Sequence, residues 1–320
     1  MQTGWRFDLG VLQRRHTLAM KITAFINLTL ILAVATIPAI GQTPGRDTPL
    51  TDDDAQIMQS VGDSYGNTMS GIGDVYLYLL TKDPEHATEF SSRMNQADKN
   101  LLELKNYLLL ERPSNRDLHQ AMETVISSKA FMQTEAQSLL ASLNTPQTND
   151  LPQKITIFSA RVDHFTYTFD ALERALFNCL IFTYGTDNRD LTAAEAVARL
   201  QWDSVESVAL AHKFLLSGDR MAAVQFDNKL ADFDSQVARF RSNRDLTPPD
   251  QKTVAAALDT LAQKKARFVN KAHALFQAKE MNQGIDPSML TLLKTDINAF
   301  INATRGFVDL SCKKTATTGE

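Results

Sequence analysis

Apolar residues recur along this chain at alternating spacings of three and four, and the same spacings return 136 positions later. Met69, Ile72, Tyr76 and Leu79 form one seam, and Val205, Val208, His212 and Leu215 form its echo. Phe90, Met94, Ala97, Leu101, Leu104 and Leu108 are followed in the same way by Phe226, Leu230, Phe233, Val237 and Phe240. The third seam runs Leu118, Met122, Val125, Lys129, Met132, Ala136, Leu139 and Leu143, between Pro113 and Pro146. Its counterpart after Pro248-Pro249 is Val254, Leu258, Leu261, Lys265, Phe268, Ala272 and Leu275, so a lysine interrupts both copies at one place. The fourth seam, Leu151 through Cys179, returns as Leu290, Leu293, Ile297, Phe300, Thr304 and Phe307 with an offset of 135. A period near 3.5 places each set on one helix face and marks helices that pack nearly parallel. No strand pattern of useful length appears.

Four seams per copy, joined by short turns, predict an all-α chain of two tandem or stacked up-down four-helix bundles, residues 52–186 and 187–310. Asp83-Pro84 and Gly218-Asp219 supply tight turns, with Asp83 and Asp219 as N-caps and Pro84 at the first helical position. Tyr184–Asp190 is the expected break between the bundles, and residues 311–320 read as a flexible tail.

Ahead of the bundles, Ile22 through Gly45 carry no formal charge, and Ile22–Ile40 is apolar over a length that spans a bilayer. Arg6, Arg14, Arg15 and Lys21 precede it, and acidic residues follow Arg46, so the positive-inside rule leaves residues 1–19 as a cytoplasmic tip and places everything after Gly45 outside. Residues 20–45 read either as a signal peptide ending near Ala39-Ile40-Gly41 or as an uncleaved anchor with a linker. The expected location is extracytoplasmic (periplasmic), secreted or held at the inner membrane by residues 22–40.

Composition narrows the functional classes. A hydrophobic content of 43% supports a packed core, and a net charge of −4 offers no basic field for nucleic acid. Two cysteines, Cys179 and Cys312, make no disulfide framework. No phosphate loop, nucleophile elbow, H-E-x-x-H or C-x-x-C occurs, and the six histidines are scattered. No catalytic residue, cofactor or metal site is expected, and the chain does not read as an enzyme.

What remains is polarity inside apolar seams. Lys129 and Lys265 must each snorkel to water, meet a carboxylate such as Asp98 or Asp234, or meet an anionic ligand. Tyr76 and His212 hold matching places in the first seam of each copy, either as core residues with a satisfied polar tip or as ligand contacts. Arg161 and His164 lie one place off the fourth seam, and Arg199 and Trp202 flank the second copy's first seam. The ligand-binding candidates are therefore Lys129, Lys265, Tyr76, His212 and Arg161.

At Leu79–Glu85 and again at Phe214–Asp219, a Leu-Leu-Thr/Ser turn resembles the one that follows the first bundle helix in helical sensor ectodomains of bacterial chemoreceptors and histidine kinases. The resemblance covers roughly residues 52–310, and the doubled unit is similar to helical bimodular sensors. It implies a sensory, ligand-binding domain for a small anionic metabolite such as an organic acid, with a homodimer contact as one route for its signal. The chain departs from that pattern in having no apolar run of membrane length after Ile40 and no output domain. It thus reads as either a receptor fragment or a free-standing exported binder. The rival expectation is a helical periplasmic scaffold that binds another protein and no small ligand.

Overall fold

Eight helices make up almost all of residues 50–108, 116–143, 150–243 and 248–313, the residues described by the computed structural model. They are α1 (Asp52–Thr81), α2 (Pro84–Leu108), α3 (Arg116–Ser142), α4 (Leu151–Tyr184), α5 (Arg189–Ser217), α6 (Arg220–Asn243), α7 (Pro248–Glu280) and α8 (Pro287–Lys313). No strand occurs among the described residues, so the chain is all-α there, as the seams predict. The tip, the expected signal or anchor segment and the end of the tail lie outside the described residues. Among those described, no helix is long and apolar enough to cross a membrane.

The repeated turn is built the same way twice. α1 ends on Lys82, whose N–H donates to the Tyr78 carbonyl at 2.8 Å; α5 ends on Gly218, whose N–H donates to Phe214 at 2.7 Å. Both closing residues are left-handed, with φ of 60° at Lys82 and 71° at Gly218. Asp83 and Asp219 then cap the next helices, each Oδ1 accepting a backbone N–H at 3.0 Å, from Glu85 and Met221. At the expected break, Gly185 closes α4, and Asn188 Oδ1 accepts from the Leu191 N–H at 2.8 Å to start α5.

Packing follows the seams, with one difference. α1 packs on α2, α5 on α6, α3 on α4 and α7 on α8, while α1 and α5 also pack on each other and form the centre. Two apolar cores result, one inside α1–α4 that extends onto α5, the other inside α5–α8. The sequence suggests one buried face for α1 and for α5, yet both are buried nearly all round from Val61 to Leu79 and from Leu191 to Leu215.

Small residues make that approach possible. A Cβ on Gly62 would stand 3.0 Å from Gln201 Oε1, and one on Gly73 would stand 3.3 Å from His212 Nδ1. Charges caught in the centre are paired, as burial requires. Lys229 reaches Glu206 at 2.9 Å and Asp203 at 3.6 Å. Arg199 reaches Glu173 at 2.7 Å and Glu195 at 3.1 Å, and Arg239 joins Glu195 at 2.5 Å.

Candidate functional site

Lys129 and Lys265 both meet the carboxylates that their seams place opposite them. Lys129 Nζ donates to Asp98 Oδ1 at 2.7 Å, to the Met94 carbonyl at 3.2 Å and to Gln133 Oε1 at 3.4 Å. Its side chain is 2% exposed, so the ammonium is enclosed by protein. Lys265 Nζ repeats the first two bonds, to Asp234 Oδ1 at 2.6 Å and the Leu230 carbonyl at 2.9 Å. Val269 replaces Gln133 at the corresponding position, and the third acceptor is gone. Lys265 instead lies 5.2 Å from the centre of the Phe233 ring, a cation–π contact.

Around Lys265 the helices α6 and α7 leave a cavity of about 570 Å³. Its walls are chiefly apolar (Phe233, Val237, Leu258, Leu261, Val269), with Lys265, Arg241, Asp234 and Asn270 as its polar groups. The corresponding space lies between α2 and α3. There Ile126 stands where the second copy has Ala262, and Ala97 stands where it has Phe233. Lys105 also crosses to Glu123 at 2.9 Å, tying α2 to α3. Arg241 is the counterpart of Lys105, but the shorter Asp259 replaces Glu123, and among the described residues Arg241 has no ion-pair partner. Two cations therefore border an apolar groove, and Asp234, which bonds Lys265, is 69% exposed.

The other sequence candidates are dispersed. Tyr76 lines a second cavity, of about 360 Å³, where α1, α4, α5 and α6 meet. Its ring packs edge-on to Phe158, and its hydroxyl lies 3.5 Å from Ser159 Oγ. Burial pushes the Tyr76 phenol well above its ordinary range. Four of the charged groups on its rim are paired with each other, Lys213 with Asp163 at 3.0 Å and Lys229 with Glu206 at 2.9 Å, and Asp170 lines it as well.

His212 is buried against Gly73, and neither of its ring nitrogens has a hydrogen-bond partner among the described residues. Burial first, and the nearby His86 second, push its pKa down to about 3, so the ring is neutral. Arg161 is on the surface, stacked 5.7 Å over exposed Phe131, and His164 is exposed as well. Trp202 is buried beside Tyr65 and Phe169. Cys179 is half-buried at the edge of the first core, and burial raises its thiol pKa; the side chain of Cys312 lies outside the described residues. The five candidates thus do not converge on one site. Lys265 alone of them lines the groove.

The chain matches no family model, no curated protein and no solved structure.

Sequence reasoning passes over two features that the fold assembles. The first is Arg241, a last-turn arginine on α6 that becomes notable only because α7 stands away from it. The second is a cluster at the start of α2. His86 Nδ1 lies 3.3 Å from Glu89 Oε2 and 3.9 Å from Asp74 Oδ1, and one ligand atom from each of the three residues lies within 4.8 Å of the others. Arg93 holds the second Asp74 oxygen at 2.6 Å. Burial is the main cause that raises Asp74 to about 7, against the pull of Arg93. The i, i+3 spacing of His86 and Glu89 is visible in the sequence; their meeting with Asp74 across the turn is not.

Proposed function

We infer that the chain comprises two four-helix units laid side by side along α1 and α5, and that it is an extracytoplasmic ligand-sensing module for a small anionic metabolite. The observation that supports this most is the groove between α6 and α7, where Lys265 and Arg241, which has no ion-pair partner among the described residues, border an apolar cavity of about 570 Å³. That size falls within the roughly 300–1,000 Å³ of small-molecule sites. The chemistry suits an organic acid with an apolar body: its carboxylate meets the two cations, and its body covers Phe233, Leu258 and Leu261.

The ligand carboxylate takes the place of Asp234 on Lys265, and the displaced Asp234 turns to water at small cost because it is already 69% exposed. A ligand that spans the groove draws α6 and α7 together. α6 packs on α5 and α5 on α1, so such a shift passes to the centre of the molecule. It moves an equilibrium only by its differential affinity for the two arrangements. Residues 20–45 would export or anchor the module, and no nucleic acid, cofactor or catalytic step enters this reading.

A thermal-shift screen of the full chain against aliphatic and aromatic carboxylates, amino acids and inorganic anions tests it. A ligand at ~100 times its Kd adds roughly 2.7 kcal/mol to the folded state. Stabilisation by carboxylates, lost in Lys265→Met and in Arg241→Gln but kept in Lys129→Met, supports the reading. Folded protein that no small anion stabilises favours the helical scaffold instead.

A further inference from the structure

The two halves repeat each other closely at their first turn, so a difference confined to one of them is informative. Asp74, His86, Glu89 and Arg93 meet in the first half; their counterparts are Leu210, Ala222, Gln225 and Lys229. Three ligand-type side chains thus converge at the start of α2 and none at the equivalent place at the start of α6. His86 and Asp74 are almost wholly buried, and Glu89 is 33% exposed, which leaves the cluster one opening to solvent.

The cluster holds two carboxylates against one guanidinium, in a place where uncompensated charge is costly. Zinc-type ions bind imidazole nitrogen and carboxylate oxygen at roughly 2.0–2.2 Å, which sets neighbouring ligand atoms of a tetrahedron roughly 3.3 Å apart. The His86–Glu89 separation of 3.3 Å already has that value, and the His86–Asp74 separation of 3.9 Å needs only a small side-chain adjustment. Arg93 bonds Oδ2 of Asp74 and leaves Oδ1 facing His86, the outer-shell support that ligating carboxylates usually have.

We propose that Asp74, His86 and Glu89 form a binding site for one divalent transition-metal ion of the zinc class, which ties the first turn of α2 to α1. The fourth coordination position faces the opening beside Glu89 and takes water or a small anionic ligand. The ion makes the turn at Lys82 rigid in the first half, while the matching turn at Gly218 stays unclamped.

The test is calorimetric titration of zinc into the full chain after chelator treatment, with metal content measured after dialysis. The expected result is one zinc per chain, with affinity falling at least tenfold in His86→Ala and in Glu89→Gln. His273→Ala, which removes the exposed surface pair with Asp227 (2.9 Å), leaves the affinity unchanged. Cobalt in place of zinc gives the strong visible absorption of a tetrahedral site, absent in Glu89→Gln. Glu89→Gln is isosteric and partly exposed, so it reports on binding even where His86→Ala fails to fold. No zinc retained by the wild-type chain, or zinc retained equally by Glu89→Gln, overturns the proposal.

Discussion

Lys129 and Lys265 sit at the same position of a repeated helix and make the same two bonds, to an aspartate and to a backbone carbonyl of the helix before. Their surroundings separate them. Around Lys129, Gln133 adds an acceptor, Ile126 packs against the first core, and Lys105 pairs with Glu123. Around Lys265 these become Val269, Ala262 and an Arg241 that reaches no acid among the described residues, and a groove lies beside them. A lysine in an apolar seam is therefore weak evidence for a ligand by itself. Whether it can serve one depends on how replaceable its protein partner is, and on whether the neighbouring side chains have left room.

The strongest way to break the comparison is Phe233→Ala. Phe233 stands where the first half has Ala97; its buried ring packs on Phe300 at 5.4 Å and under the Lys265 ammonium. Truncation costs roughly 3–5 kcal/mol, read by chemical denaturation. It also removes a wall of the groove and the ring that faces the Lys265 ammonium, so carboxylate stabilisation weakens in the same variant.

Next in size is a pH effect that separates His212 from its counterpart Tyr76. His212 has a pKa lowered to about 3 from 6.5, so its contribution to stability is present above about 6.5 and is lost as pH falls toward 3. Compared with His212→Leu, the wild-type chain loses about 1.4 kcal/mol per pH unit across that window. Unfolding midpoints of the two proteins from pH 7 down to 4.5 check this; parallel curves contradict the buried, neutral imidazole.

A smaller difference separates the lysines. Lys129→Ala empties a packed stem and costs about 1–3 kcal/mol. Lys265→Ala, which loses a pair whose acid is mostly in water, costs about 1 kcal/mol or less. Equal costs in denaturant melts would remove the distinction between an enclosed lysine and one that lines a groove. The smallest effect concerns the turns: Lys82→Gly copies Gly218 into the first half and relieves a left-handed residue with a Cβ, adding about 1 kcal/mol.

The helices were legible because each seam carries enough apolar residues to fix its period. Met122, Val125, Met132, Ala136 and Leu139 are all fully buried on α3, and the Asp83 and Asp219 caps form where turn chemistry calls for them. The burial of α1 and α5 on every side was harder to see, because a seam reports one face. The signal was in the small residues Gly62, Gly66 and Gly73, and in a single charge, Asp74, between Ser64 and Leu80. At the site, the carboxylate partners of both lysines followed from the seams. The groove did not, since it depends on the smaller Ala262 in place of Ile126 and the shorter Asp259 in place of Glu123. Each of those exchanges is unremarkable alone. Asp74, His86 and Glu89 lie on two helices joined by a turn, and only the packing of α2 on α1 shows that they meet.

The most direct test of the account follows the lysine ammonium groups by nitrogen-15 NMR while a stabilising carboxylate is titrated into the full chain. The account predicts that the Lys265 resonance moves saturably with ligand and that the Lys129 resonance stays in place, and that Lys265→Met abolishes stabilisation by the same ligand. A ligand that shifts Lys129 and leaves Lys265 unchanged, or one that binds with the Lys265 resonance fixed, would contradict it.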